Sequence, residues 1–320
     1  MKIMPVLAAS LGLFAACVFA QDYPSREIHA VSPVSPGSGG DIVARYYSDK
    51  LSKLAGRPVI VDNKGGAQGV VGTEYAAHAK PDGYTFLITP ASSMLAAQPH
   101  FFRKLPFDPF KDFAPVAVLA WLPFAIAVDA KSPIKNVGEL VAALKAKPGH
   151  GFYGMGNNSG LGTAELFKEM AGLKTVQVPY KTSMQGVTAL STRDIDFLVW
   201  DATFMSGQVR AGRVRILAVT SLKRASALPD VPTMAESGFP GFEATTWYGL
   251  VGPAKLPLAM AQRMNEDVNK ALAMPDVVEK LNVSGAEDGG GSIEKFAQFM
   301  VAEQSKWAKV IRESHVKVDS

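Results

Sequence analysis

The chain holds a single cysteine in 320 residues, Cys17, and that residue falls in the first twenty. Everything after that segment is therefore without disulfides, thiolate zinc sites, iron–sulfur clusters or a cysteine nucleophile. Excess charge is also small: 33 Lys+Arg against 29 Asp+Glu leave +4. Spread over this length, that balance gives no basic face for a nucleic acid, and the lysines between Lys131 and Lys147 read as one solvated helix face. The histidines, His29, His78, His100, His150 and His315, stand singly with no H-x-x-x-H pair, so no metal site is expected. Missing too are the G-x-S-x-G elbow of esterases, the Gly-Lys-Ser/Thr end of a P-loop and the G-x-G-x-x-G of dinucleotide sites, since Ile42 stands where the last glycine would be. Lys181 and Ser183 lack the S-x-x-K spacing of acyl-transfer enzymes.

No apolar run reaches the ~20 residues a membrane-spanning helix needs. The strongest, Val6 to Phe19, follows Lys2 and ends in Val18-Phe19-Ala20, the three-part pattern of a secretory signal peptide with cleavage before Gln21. A lipoprotein cut before Cys17, after Phe14-Ala15-Ala16, is the alternative. The expectation is an exported, periplasmic and soluble protein of about two domains.

The remainder opens with a β-leaning run, Glu27 to Pro33, followed by Val34-Ser35-Pro36-Gly37-Ser38-Gly39-Gly40-Asp41 and an amphipathic stretch with apolar residues at 42, 43, 46, 47, 51 and 54. Gly56 suits its C-terminal stop. A glycine loop feeding a helix N-terminus gathers unpaired N–H groups and the positive end of the helix dipole, which makes an anion site. The same loop serves equally as a tight strand–helix connection that binds nothing. Strands and helices go on alternating, as in an α/β parallel sheet. In such sheets ligands sit beyond the strand carboxyl ends, where the first loop (35–41) and Pro90-Ala91-Ser92-Ser93 would lie. A second series follows Phe113–Val128, with helices expected over 137–147, 163–171, 184–191 and 203–211. Its loop 156–162, Gly-Asn-Asn-Ser-Gly-Leu-Gly, precedes a helix as the first loop does. Asp201 closes the apolar strand 195–201, where it serves either as the helix N-cap or as a ligand contact.

Beyond these patterns, the residues YPSREI (23–28), PGSGGDIVAR (36–45), VIVDNKGGAQGVVGTE (59–74), PDGYTF (81–86), LPFDPFKDFAPV (105–116), VPYK (178–181), the run 211–250 and KWAKVI (306–311) resemble the extracytoplasmic solute receptors of the tripartite tricarboxylate transporters, often called Bug proteins. The resemblance implies an α/β, two-domain periplasmic-binding-protein fold of type II, the Venus flytrap, with a hinge. By it, residues 1–20 are the signal peptide, 21–120 and 248–320 a discontinuous first domain, and 121–247 the second. The candidate hinges are 117–123 and 243–251. It implies a monomer that binds a small organic acid anion and delivers it to membrane permease subunits, with no enzymatic activity, no cofactor and no nucleic acid. A receptor feeding a periplasmic sensor, or an enzyme using Asp201 or Lys181 as base, are the rival readings. The ligand residues it implies are Ser35, Gly37, Ser38 and Gly39 in the first loop, Ala91, Ser92 and Ser93 after the third strand, and Asn157, Asn158, Ser159 and Gly160 in the second loop. Asp201 is implied at the ligand's other end, and Thr245, Thr246 and Trp247 near the cleft mouth. Three departures bear on the ligand. Gly40 stands where threonine is common, Leu161 and Gly162 replace a stretch that usually carries histidine, and Trp200 replaces phenylalanine. Lost hydroxyl and imidazole groups and a larger aromatic point to a ligand with more apolar or aromatic surface, unless Trp200 is a core residue.

Overall fold

The computed structural model describes residues 23–313 apart from 148, 150, 156, 157, 181 and 285. The expected signal peptide with Cys17, and the candidates Asn157 and Lys181, lie outside the described residues, as does the side chain of Asn158.

The first half runs β1 (Ile28–Ser32), α1 (Gly39–Ala55), β2 (Val59–Asn63), α2 (Val70–Ala77), β3 (Thr85–Thr89), a π-helical turn Ser92–Ala97 and α3 (Gln98–Phe101). After β4 (Phe113–Asp129) come α4 (Val137–Lys145), β5 (Phe152–Met155), α5 (Asn158–Ala171), β6 (Val176–Gln177), α6 (Ser183–Thr192), β7 (Phe197–Asp201), α7 (Ala202–Arg210) and β8 (Val214–Val219). The chain ends with β9 (Thr245–Pro253), α8 (Leu258–Leu272), α9 (Pro275–Ser284), β10 (Glu287–Asp288) and α10 (Ile293–Glu313).

The sheet order β2-β1-β3-β9-β4-β7-β5-β6 shows how the halves are joined. β1 pairs in parallel with β2 and β3, and β5 in parallel with β6 and β7. Between these two parallel sets run β4 and β9, antiparallel from Phe113 opposite Pro253 to Pro123 opposite Thr245. From Phe124 onward β4 changes partners to β7 and β8. A 17-residue strand reaches about 55 Å, enough to serve both halves. Its pairing with β9 slips between Pro115 and Ala117 and again between Val118 and Ala120, irregularities of the kind that bend a strand. The two parallel sets carry helices, and the antiparallel pair crosses between them.

Local chemistry explains the elements that reach the site. Ser38 caps α1, its Oγ accepting the Asp41 N–H at 3.3 Å, and Gly56 ends the helix in the left-handed region at φ 66°. Ala44, Tyr47 and Leu51 face the core while Ile42 is exposed, so the buried stripe is narrower than the apolar spacing suggests. α6 begins with a capping box in which Thr182 and Gln185 each accept the other's backbone N–H. Two expectations are corrected. α5 starts at Asn158, five residues earlier than 163, so Asn158, Ser159 and Gly160 form a helical first turn rather than a loop. Leu161, Ala164 and Phe167 are its buried face, a spacing that the glycines on either side of Leu161 obscure. The serines at 92 and 93 likewise open a π-helical turn instead of an irregular loop.

The C-terminal segment packs mainly on the first half. The amide of Asn265 on α8 donates to the Val116 carbonyl at 2.7 Å, and Lys50 on α1 pairs with Asp276 on α9. α10 goes further and crosses to the second half, where Trp307 lies so close to Gly162 that an added Cβ would stand 2.2 Å from its ring. A side chain at position 162 would collide with Trp307, so glycine suits that position.

Candidate ligand-binding site

The first loop is built around a buried carboxylate. Asp41 Oδ2 accepts the Gly37 N–H at 2.8 Å and Arg45 Nε at 3.0 Å, and Oδ1 accepts the Asn63 amide at 2.8 Å. Gly37 takes a φ of 77°, which a residue with a Cβ reaches only with strain. These bonds leave the Gly39 and Gly40 N–H groups at the start of α1 with no hydrogen-bond partner among the described residues. Two free donors at a helix N-terminus are what an anion needs.

Residues distant in sequence meet here. An added Cβ on Gly39 would lie 3.3 Å from Asp201 Oδ2, and one on Gly40 would lie 3.6 Å from the Tyr248 ring. Asp201 from the second half thus faces the first turn of α1 in the first half. A chain of hydroxyls makes a second crossing: Ser159 Oγ donates to Ser92 Oγ at 3.1 Å, and the Ser92 and Thr246 hydroxyls are hydrogen-bonded at 2.6 Å. All three residues are buried, and they come from α5, the π-helical turn and β9. Ser93, Thr89 and Ser32, at or just beyond the ends of β3 and β1, are also buried, and their hydroxyls have no partner among the described residues. Gly160 lies buried beside Ser159 and Ala91 packs on Gly249, while Ser35 and Gly37 are exposed on the outer side of the first loop.

Trp247 stands elsewhere. Alternation along β9 sends Thr246 and Tyr248 to one face and Trp247 to the other. There it is fully buried, packs on Phe296 and Phe299, and donates its indole N–H to Glu303 at 3.0 Å. It is a packing residue tying α10 to the crossing strands, and its expected place near the cleft mouth is corrected on that ground. Trp200 is a core residue as well, set between Phe204 and the α6 glycine Gly186. Tyr248, Asp41 and Asn63 were not among the sequence candidates. A tyrosine in an apolar strand reads as core, but Asp41 and Asn63 flank the glycine loop and the end of β2, where polar residues at strand ends were the available signal.

Burial pushes the Asp201 carboxyl up to about 6, against the opposing pull of the Phe204 N–H and its own backbone N–H. Burial, and the Asp201 charge beside it, raise the Tyr248 phenol in turn. The folded value for Asp201 lies above the unfolded one, so its contribution to stability is complete below about pH 4 and is lost as the pH rises through about 6. Between those limits the wild-type protein is expected to lose about 1–3 kcal/mol relative to Asp201→Asn, read from thermal unfolding of both proteins at each pH.

Among the described residues there is no group of three or more His, Cys, Asp or Glu able to hold a metal ion, and no helix long and apolar enough to cross a membrane. Across residues 43–316 the chain matches the profile of the tripartite tricarboxylate transporter family receptors. The chain belongs to that family. Protein BugT of Bordetella pertussis is 32% identical over 98% of this chain and 99% of its own length. The R. palustris protein Rpa4515, solved with adipate, superposes with a TM-score of 0.88 at 32% identity, covering 92% of this chain and 99% of that one. MatC from Rhodopseudomonas palustris, solved with bound malate, gives a TM-score of 0.82 at 26% identity over 90% of this chain and all of the other. At the level of the family, these receptors are periplasmic binding proteins for small carboxylates and not enzymes. The Bug-family fold accounts for the crossing strands β4 and β9 and for the placing of Asp201, at the end of β7, against the start of α1.

Proposed function

We propose that this receptor works in the periplasm, captures a small organic acid between its two halves and presents it, as a monomer, to the permease subunits of a tripartite tricarboxylate transporter. The observation that carries the reading is that β9 links two sets of donors, the free N–H groups of Gly39 and Gly40, whose start of α1 lies against Tyr248, and the Ser159–Ser92–Thr246 hydroxyls, which end on Thr246 two residues away. These are neutral donors. They stabilise a carboxylate with charge-assisted bonds and without a buried counter-charge, which avoids the desolvation cost of a second ion.

In this reading residues 21–120 with 248–320 form one lobe and 121–247 the other, hinged where β4 exchanges β9 for β7 and β8. Residues 1–20 are the export signal. The lobes close on the ligand by bending at that exchange. An aromatic acid is the finer possibility raised by Trp200, but the burial of that ring among Phe204 and Gly186 removes the support it gave. Calorimetry on ligand-stripped protein tests the reading, with adipate, malate and citrate against benzoate and terephthalate as aromatic comparators. Saturable one-site binding by at least one acid is expected, and no binding by any would contradict it. Ser159→Ala removes one hydroxyl from the chain and is expected to weaken binding about three- to tenfold, measured in the same titration.

A further inference from the structure

Asp201 turns its two carboxylate oxygens to different neighbours. Oδ1 accepts the Phe204 N–H at 2.8 Å and starts α7. Oδ2 faces Gly39 across the cleft, and among the described residues no other residue donates a hydrogen bond to it and no cation stands beside it. The side chain is only 8% exposed. The described residues packed around it include Gly39 on α1, Phe124 opposite it on β4, and Tyr248 on β9, whose phenol is the titratable neighbour among them. This oxygen is an acceptor beside the free N–H groups of Gly39 and Gly40, and a ligand that covers it without offering a donor costs free energy.

We propose that the ligand is a carboxylic acid with a hydrogen-bond donor, a hydroxyl or an ammonium group, on the carbon next to its carboxylate. The carboxylate rests on the Gly39 and Gly40 N–H groups and the neighbouring group donates to Asp201 Oδ2. This rests on the proposed carboxylate cleft and narrows its ligand. An acid lacking the donor brings its charge beside Asp201 with nothing between the two anions, which is unfavourable in a site of low dielectric. A hydroxyl or ammonium in that place replaces the repulsion with a charge-assisted bond. Sites that hold an acceptor for a ligand donor discriminate strongly against the analogue without it.

The test is calorimetry at pH 7.5 with matched acids of three to six carbons: each parent acid, its 2-hydroxy and 2-amino derivatives, and the 3-hydroxy isomer. The proteins are wild type and Asp201→Asn, since asparagine retains the N-cap bond that starts α7. In wild type, a 2-hydroxy or 2-amino acid is expected to bind at least tenfold more tightly than its parent and its 3-hydroxy isomer. In Asp201→Asn that preference is expected to shrink below threefold, with the parent acid gaining. Parent and 2-substituted acids binding equally to wild type, or a preference that survives Asp201→Asn, would overturn the donor requirement while carboxylate capture stands. No binding by any acid would overturn both.

Discussion

Gly39→Val is expected to abolish ligand binding, lowering affinity by a factor of about 100 or more, while the protein still folds. A Cβ at this position comes within 3.3 Å of Asp201 Oδ2, and the two methyl groups of valine extend into the same space. They also cover the Gly39 and Gly40 N–H groups that the carboxylate would use. The residue sits at the first position of α1, where a β-branched side chain costs the helix only a few tenths of a kcal/mol. The loss therefore falls on the cleft and not on the fold. Titration with any acid that binds wild type, beside thermal unfolding of the variant, separates the two. Wild-type affinity in Gly39→Val would remove Gly39 from the site.

Asp41→Ala is expected to have the largest effect on stability. The carboxylate is buried and holds the Gly37 N–H, Arg45 and Asn63 together. Removing it strands the backbone donor and the amide and releases the first loop from α1. The expected cost is on the order of 2–4 kcal/mol, a fall in melting temperature of about 5–10 °C for a chain of this size. Although burial alone would raise the Asp41 carboxyl, the bonds from Arg45, Gly37 and Asn63 hold it below the usual carboxylate range. With the folded value below the unfolded one, its contribution is present above about pH 4 and disappears as the pH falls through the folded value. Wild type and Asp41→Ala should therefore converge in stability under acid. Binding is expected to weaken with stability at neutral pH, because Gly37 then loses the bond that fixes the turn before Gly39. A variant as stable as wild type at pH 7 would show that Asp41 does not organise the loop.

How much of this was legible before the structure depends on the distance over which each residue acts. α1 could be read directly: Ser38 caps it, Gly56 ends it and the apolar residues recur at helical spacing, all within one local segment. Asp201 could be read in part, because a carboxylate between an apolar strand and a helix marks an N-cap, the place it takes at the start of α7; that it also lies against Gly39 depends on how the halves meet. α5 was harder, since Ser159-Gly160-Leu161-Gly162 has loop composition. Its helical conformation is supported by Leu161, Ala164 and Phe167 in the core and by Trp307 closing over Gly162 from a helix about 145 residues further along the chain. Trp247 was misplaced for a reason of period two: one step along β9 moves a side chain from the cleft face to the α10 face, and adjacent Thr246 and Trp247 fall on opposite sides. Tyr248 and the hydroxyl chain through Ser92 depend on which strands cross, and no local pattern carries that information.

The most direct test is a crystal structure of this receptor with the acid that co-purifies with it, identified first by mass spectrometry. The account predicts a ligand carboxylate within about 3.2 Å of the Gly39 or Gly40 N–H groups and of a Ser92 or Ser159 hydroxyl, held between the two halves. A ligand carboxylate bound outside that cleft, or held there by a lysine or arginine in place of these neutral donors, would contradict it.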